Sequence, residues 1–203
     1  MLTVLRRGAV ISTEVGMRVT REQMAQNRTR ILDAASELFR EKGFDAVTVA
    51  EVMQAAGLTH GGFYGHFSSK EDLIAKTLDH VFNVDSEVPF NLPNYVERYL
   101  SPLHRDNPGK GCPTAGMVAE TRHQGEAARH AMGDGTRAQI DRMASGIMGD
   151  VDERRRLAIV SWAAMVGAMM IARGVDDPKL SNELLSETRG WIEEAISGQA
   201  KSV

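Results

Sequence analysis

At 203 residues the chain is long enough for one or two domains with a substantial core. Its net charge of −3 is mild and its one cysteine rules out an internal disulfide and argues against a structural zinc site, so a reducing cytoplasm is the expected compartment. No apolar run approaches membrane-spanning length, and the opening stretch MLTVLRRGAVISTEVG lacks the hydrophobic core of a signal peptide.

The charge is unevenly spread. Through Arg30 there are six arginines against Glu14 and Glu22, whereas from Val81 onward 14 Lys+Arg face 17 Asp+Glu. A basic beginning on a mildly acidic remainder suits a DNA-reading end and a separate regulatory end. A neutral protein with a disordered basic tail fits the same charges. Residues 1–19 are expected to form a flexible extension; the first sixteen are either dispensable or an arm for a minor groove.

Thr20 and Gln23 are placed to cap a long first helix with Ile31, Leu32, Ala35, Leu38 and Phe39 on one side, ending at Gly43. Thr48 and Glu51 form a T-x-x-E capping box for a second helix, whose apolar face is Val49, Val52 and Met53. Gly57 follows where that helix must stop and the backbone turn through positive φ. Leu58 is then free to plug the corner. Thr59 is expected to cap a short helix, His60 to His66, and Ser68 with Glu71 to make a second capping box for a helix running from Ser69 to about Val84. Asp85-Ser86 and Pro89 break it.

Beyond the break, a short helix is expected at about Asn94 to Leu100, followed by a loop, SPLHRDNPGKG. Cys112-Pro113 opens a helix to about Arg122. Glu126 to Ile147 reads as helical but interrupted by Gly133 and Gly135. Asp150 with Glu153 caps an apolar helix to Arg173, and Asp177-Pro178 a last one to about Ser197. No strand or repeat is evident, so the expected fold is all-α.

Two short helices joined by a tight glycine turn, then a third helix start, are the pattern of a helix-turn-helix. Gly61, Phe63-Tyr64, His66-Phe67 and Ser69-Lys70-Glu71-Asp72-Leu73 resemble the recognition-helix signature of the TetR family of bacterial transcriptional regulators. RILDAASELFREKGFDAVTVAEV, from Arg30 to Val52, is similar to that family's first helix and its run into the second. The resemblance covers roughly Arg28 to Leu78. Met17 is a more ordinary beginning for such a protein. The resemblance implies a helix-turn-helix DNA-binding domain over 20–68 and a helical ligand-binding and dimerisation domain over 69–203, with 69–84 linking them.

It also implies that Thr48, Thr59, Tyr64, His66 and Lys70 contact phosphates while the short helix enters the major groove. Lys70 near a helix start adds charge to free backbone N–H groups, a combination suited to phosphate oxygens. Phe63 and Phe67 read as core. The chain departs from the family at positions 62 and 65, both glycine. Gly61, Gly62 and Gly65 each lower helicity by roughly 1 kcal/mol relative to alanine and let the backbone approach the groove closely. Base readout then falls mainly to His60 and Thr59, with heavy reliance on phosphates and DNA shape.

In the larger domain, Ala163, Ala164, Gly167 and Ala168 alternate with Met165, Met169 and Met170. The last helix repeats Leu180, Leu184, Leu185, Trp191, Ile192 and Ala195. By resemblance two such helices from each subunit form a four-helix homodimer interface; an intramolecular core has the same signature. Tyr95, Tyr99, Met117, Met143, Trp162 and Met165 suit an apolar effector pocket, or ordinary packing. Cys112 falls at a helix N-cap, where free N–H groups and the helix dipole favour a thiolate. A Gly-Cys pair there resembles a branch of the family in which some members sense electrophiles or oxidants; the alternative is a small buried residue.

The expected function is therefore a ligand-responsive regulator, a repressor in the family's common mode. It binds a palindromic double-stranded operator as a homodimer and is released by a small-molecule or electrophile inducer, with no metal or other cofactor. A nucleoid-type DNA-binding protein without a ligand is the alternative. The six histidines are scattered and no phosphate loop or paired-histidine metal motif is present, which speaks against an enzyme; Cys112 with His123 is the one pair to consider.

Overall fold

The computed structural model describes residues 20–83 and 90–200. The expectations for residues 1–19 and for the helix break at 84–89 lie outside those residues. Among the described residues all regular structure is helical, as expected.

Helix α1, Arg21–Lys42, starts where Thr20 Oγ1 accepts the Gln23 N–H at 3.1 Å and ends at Gly43, φ 82°. Helix α2, Val49–Ala55, has the expected reciprocal box: Glu51 N donates to Thr48 Oγ1 at 3.2 Å and Thr48 N to Glu51 Oε2 at 2.8 Å. Helix α3, Lys70–Phe82, begins one residue later than the expected box requires. Ser69, not Ser68, is its N-cap, accepting from Asp72 N at 3.1 Å, while Ser68 N donates to Asp72 Oδ2 at 3.0 Å. The expected reciprocal box does not form: the Asp72 carboxylate takes the N–H of Ser68 rather than that of the cap, Ser69.

Helix α4 is Leu92–Tyr99, capped by Asn91. The expected loop after it contains a short helix, α5, Pro102–Asp106, and a 3₁₀ turn, Pro108–Lys110. Ser101 Oγ accepts the His104 N–H and Pro102 supplies a preset first φ, so the segment helps itself into a turn of helix. Helix α6, Pro113–Thr121, begins at Cys112 as read from the sequence.

Helix α7, Glu126–Ser145, runs unbroken through both glycines, against expectation. The reason differs at each. A Cβ on Gly135 would fall inside the Phe82 ring, so glycine there admits α3 against the α7 backbone; a Cβ on Gly133 would meet nothing within 4 Å. Helices α8, Val151–Gly174, and α9, Pro178–Ala200, complete the fold. By length and composition α8 is apolar enough to cross a membrane, contrary to the sequence reading. It is built into the protein instead: Ala158, Trp162, Met165 and Met169 are buried in the core it shares with α4, α7 and α9.

Two cores result. One joins Ile31, Ala35 and Phe39 of α1, Val52 and Met53 of α2, Phe63 and Phe67, and Leu73, Ile74 and Leu78 of α3 to Met117, Ala128, Ala131 and Met132. The other joins Leu92, Val96, Tyr99, Met143, Trp162, Met165, Met169, Leu185 and Ile192. Helix α3 thus packs in the same cluster as α1 while also resting on α7. The two cores are stitched by α6, which sends Met117 into the first and Ala115 into the second.

Candidate nucleic-acid interface

The surface made by α2, the segment after it and the start of α3 is held by local chemistry. Gly57 adopts φ 68°, and Leu58 N donates to Met53 O at 2.9 Å, so the chain reverses within two residues. Leu58 then packs against the first core, filling the corner as expected.

His60–Gly65 is a 3₁₀ helix rather than an α-helix. Gly62 N reaches Thr59 O at 3.0 Å and His66 N reaches Phe63 O at 2.8 Å. Three glycines in six residues give an α-helix too little intrinsic support, and the tighter turn suffices for so short a piece. Thr59 is exposed and its side chain makes no capping bond, a second departure from the sequence reading. What anchors the segment is its aromatic pair: Phe63 and Phe67 are buried and stack with centroids 5.7 Å apart. The rest of the segment faces out. His60, Gly61 and Gly62 are exposed, and Tyr64 is 74% exposed. A Cβ on Gly61 would meet nothing within 4 Å, so the fold itself does not require glycine there.

Lys70 occupies the first position of α3; it is partly exposed, and its Nζ lies 3.5 Å from Asp45 O on the solvent side. Thr48 is exposed at the N-cap of α2, yet its hydroxyl already donates to Glu51 Oε2 at 3.0 Å, so a phosphate would compete with that bond. His66 is half-buried. Burial, with Arg28 nearby, holds it below the ordinary histidine value, which leaves a neutral imidazole near pH 7. A neutral ring offers a hydrogen bond to phosphate rather than a charge.

Arg28 was not singled out in the sequence. Its Nη1 donates to His66 O at 2.5 Å and its guanidinium lies 4.4 Å from the centre of the Phe67 ring. Arg30 lies over the Gly57 turn. Both were visible only as members of a basic stretch; the role of Arg28 depends on α1 meeting a segment 38 residues away.

This constellation has known counterparts. Residues 31–77 match the family model described as "Bacterial regulatory proteins, tetR family". That stretch carries the TetR-family signature. Over 63 residues it is 35% identical to the HTH-type transcriptional regulator TtgR of Pseudomonas putida, covering 31% of this chain and 30% of that protein. Over 51 residues it is 45% identical to the HTH-type transcriptional repressor KstR2 of Rhodococcus jostii, 25% of each chain. The matched stretch thus spans about 30% or less of these relatives' length. The likeness in fold runs further. The reduced form of NemR from E. coli superposes with a TM-score of 0.64 at 22% identity, over 84% of this chain and 97% of that one. A TetR-family regulator from Cytophaga hutchinsonii gives 0.66 at 19% identity, over 84% and 95%.

Away from the TetR-type surface, the structure gathers most of the expected effector residues. Tyr95, Tyr99, Cys112, Met143, Trp162 and Met165 lie in or against the second core; Met117 is placed in the first and is therefore not among them. Phe90, Tyr95, Tyr99 and Trp162 form a chain of ring contacts, with Tyr99 and Trp162 5.5 Å apart. The Tyr99 hydroxyl and Trp162 Nε1 are buried without a hydrogen-bond partner among the described residues. Cys112 is half-buried at the α6 N-cap, its Sγ accepting from Ala115 N at 3.5 Å and its N–H donating to His104 Nε2 at 2.9 Å. That bond makes His104 the neighbour of Cys112; His123 stands past the opposite end of α6, bonded to Arg122. Among the described residues no group of three His, Cys, Asp or Glu side chains is placed to hold a metal.

Proposed function

We propose that this chain is a ligand-responsive transcriptional repressor that binds a palindromic operator as a cytoplasmic homodimer. The observation that carries the reading is the outward-facing His60–Gly65 segment beside the partly exposed Lys70 at a helix start, within the stretch that matches the TetR family. His60 and Thr59 read bases, Gly61 and Gly62 admit the backbone, and Thr48, Tyr64, His66 and Lys70 hold phosphates. The division into a DNA-binding unit, 20–68, and a larger unit, 69–203, belongs to the same proposal. So does the absence of catalysis.

Pairing of two copies is supported by an apolar stripe left uncovered on α8 and α9. Val160, Ala163 and Ile171 are exposed, Gly167 has open space where a side chain would be, and Leu180 and Trp191 of α9 are exposed too. The methionines that alternate with this stripe, Met165 and Met169, point into the subunit's own core. Replacing Gly167 by Arg should give a folded monomer by light scattering, with loss of operator binding; an unchanged dimer would show that the interface lies elsewhere.

The effector enters the second core, where an apolar molecule with an acceptor atom satisfies Tyr99 and Trp162. An electrophile acting through Cys112 is the second inducer class, supported by the thiol's partial exposure at a helix N-terminus. Displacing α6 at that end is felt by α1, since Glu120 near its other end holds the turn after α1. Induction needs about 1.4 kcal/mol of ligand preference for the non-binding conformation per tenfold loss of DNA affinity. If Cys112→Ser responds to every inducer and oxidant as the parent does, the electrophile class is removed while the rest stands.

A further inference from the structure

A cleft of about 470 Å³ opens where α1 meets α5, α6 and α8, and none of the proposed effector or DNA residues lines it. Its walls carry three arginines, Arg40, Arg105 and Arg173, and two carboxylates, Glu41 and Asp106. The charges are not all equivalent. Asp106 is taken up by Arg105, whose Nε and Nη2 reach its two oxygens at 2.7 and 3.2 Å; Arg105 Nη1 goes to Ser181 and Asn182 of α9.

Arg40 and Arg173 have no such partner among the described residues. Arg40 donates from Nε to Gly109 O at 2.7 Å and from Nη2 to Ser36 Oγ at 2.9 Å. Arg173 donates from Nε to Arg105 O at 3.1 Å and from Nη2 to His104 O at 2.8 Å. All four acceptors are neutral. Among the described residues neither Nη1 has an acceptor, and neither guanidinium is within ion-pair distance of a carboxylate. Cys112, Glu37 and Glu41 act on Arg40, and Tyr99 and Cys112 on Arg173, only from beyond that distance. Burial works against both charges, lowering both groups below the ordinary arginine value.

Two half-buried cations held by neutral acceptors, each with an idle donor nitrogen, are poorly compensated unless an anion joins them. Their wall also includes Pro108, Ala115, Met170 and Ala172, an apolar bed beside the charges. The size lies in the range of small-molecule sites.

We propose that this cleft binds a small organic carboxylate, its oxygens on the Nη1 groups of Arg40 and Arg173 and its apolar body against Ala115 and Met170. The planar fork of a guanidinium matches a carboxylate. One negative charge also suits a lining that carries three cations and two anions. Since Arg40 belongs to α1 and Arg173 to α8, such a ligand ties the first helix to the larger unit, at the outer edge of the second core, to which Ala115 belongs and on which Met170 packs.

The test uses the full chain without DNA, so its outcome is independent of the regulator reading. Benzoate and the neutral benzamide are titrated by calorimetry. Benzoate should bind at one site, benzamide at least tenfold more weakly, and Arg40→Gln and Arg173→Gln should each weaken benzoate at least tenfold. Absence of benzoate binding at millimolar concentration, equal binding of benzamide, or indifference to both substitutions overturns the proposal. Should either variant fail to fold, the arginine Nε–H resonances of the parent chain decide. Benzoate must shift those of Arg40 and Arg173; unmoved resonances overturn it equally.

Discussion

Phe44 and Glu120 are 76 residues apart in the chain, and Glu120 Oε2 accepts the Phe44 backbone N–H at 2.6 Å. The same carboxylate lies against Gly43, the φ 82° residue that ends α1, where any Cβ would collide with it. One side chain of α6 therefore fixes the exit from the first helix. Glu120→Ala leaves the Phe44 N–H unpaired and should lower stability by about 1.5 kcal/mol, the low end for bonds to charged groups because the carboxylate is half-buried. Urea unfolding measures this. A loss below about 0.3 kcal/mol, a fraction of an ordinary hydrogen bond, would show the contact to be incidental.

The two glycines of α7 make opposite forecasts. Gly135→Ala drives a methyl into the Phe82 ring and should cost about 1–3 kcal/mol through overpacking of α3 on α7. Gly133→Ala meets open space and should stabilise the chain by about 1 kcal/mol, the ordinary helix gain. Thermal melts of the pair suffice; equal shifts in the same direction would refute the packing argument.

On DNA, Lys70→Ala should weaken all sequences alike and reduce the salt dependence of binding by about one unit of slope. His60→Ala should instead relax preference at particular bases, by about 1–3 kcal/mol of discrimination. Gly61→Ala is a third case. The fold has room for the methyl, so melting is unchanged while operator affinity falls if the bare backbone is needed against the groove. Competition binding across a range of salt separates the three.

His104 ties the protein to pH. Its Nδ1–H donates to Tyr99 O at 2.7 Å while Nε2 accepts from Cys112 N, so the ring is neutral. Burial holds it below the ordinary value of 6.5, partly offset by the bond to Tyr99 and reinforced by Arg173. The unfolded chain therefore takes up the proton first. Stability is independent of this group above about pH 6.5 and declines as pH falls below it, until the folded ring also protonates. His104→Gln should flatten the decline in unfolding free energy as pH falls below about 6.5. An unchanged slope would assign it to other groups, of which His66, also shifted downward, is the first to examine.

The local parts of this structure were legible in advance because their causes are local. Thr20, Thr48, Cys112 and Asp150 cap the helices they were expected to cap, each bond spanning two or three residues. Phe63 and Phe67 are core and Tyr64 is exposed, as the register implied. The errors arose where two local solutions compete: Ser68 against Ser69 as cap, an α-turn against a 3₁₀ turn through three glycines, a loop against the short α5. Tertiary partners were out of reach. Nothing near Arg28 in sequence names the His66 carbonyl, and nothing near Met117 says that α6 turns it toward α1 rather than Trp162.

The central claim is that the exposed His60–Gly65 segment, duplicated by pairing, reads an inverted repeat. Selecting bound duplexes from a random pool with the full-length protein tests it most directly. The account predicts enrichment of one two-fold symmetric motif, its half-sites about one helical turn apart or slightly more, kept at lower affinity by Lys70→Ala and relaxed at particular bases by His60→Ala. Even recovery of unrelated sequences, coating DNA without a preferred motif, would contradict it and favour a nucleoid-type binder.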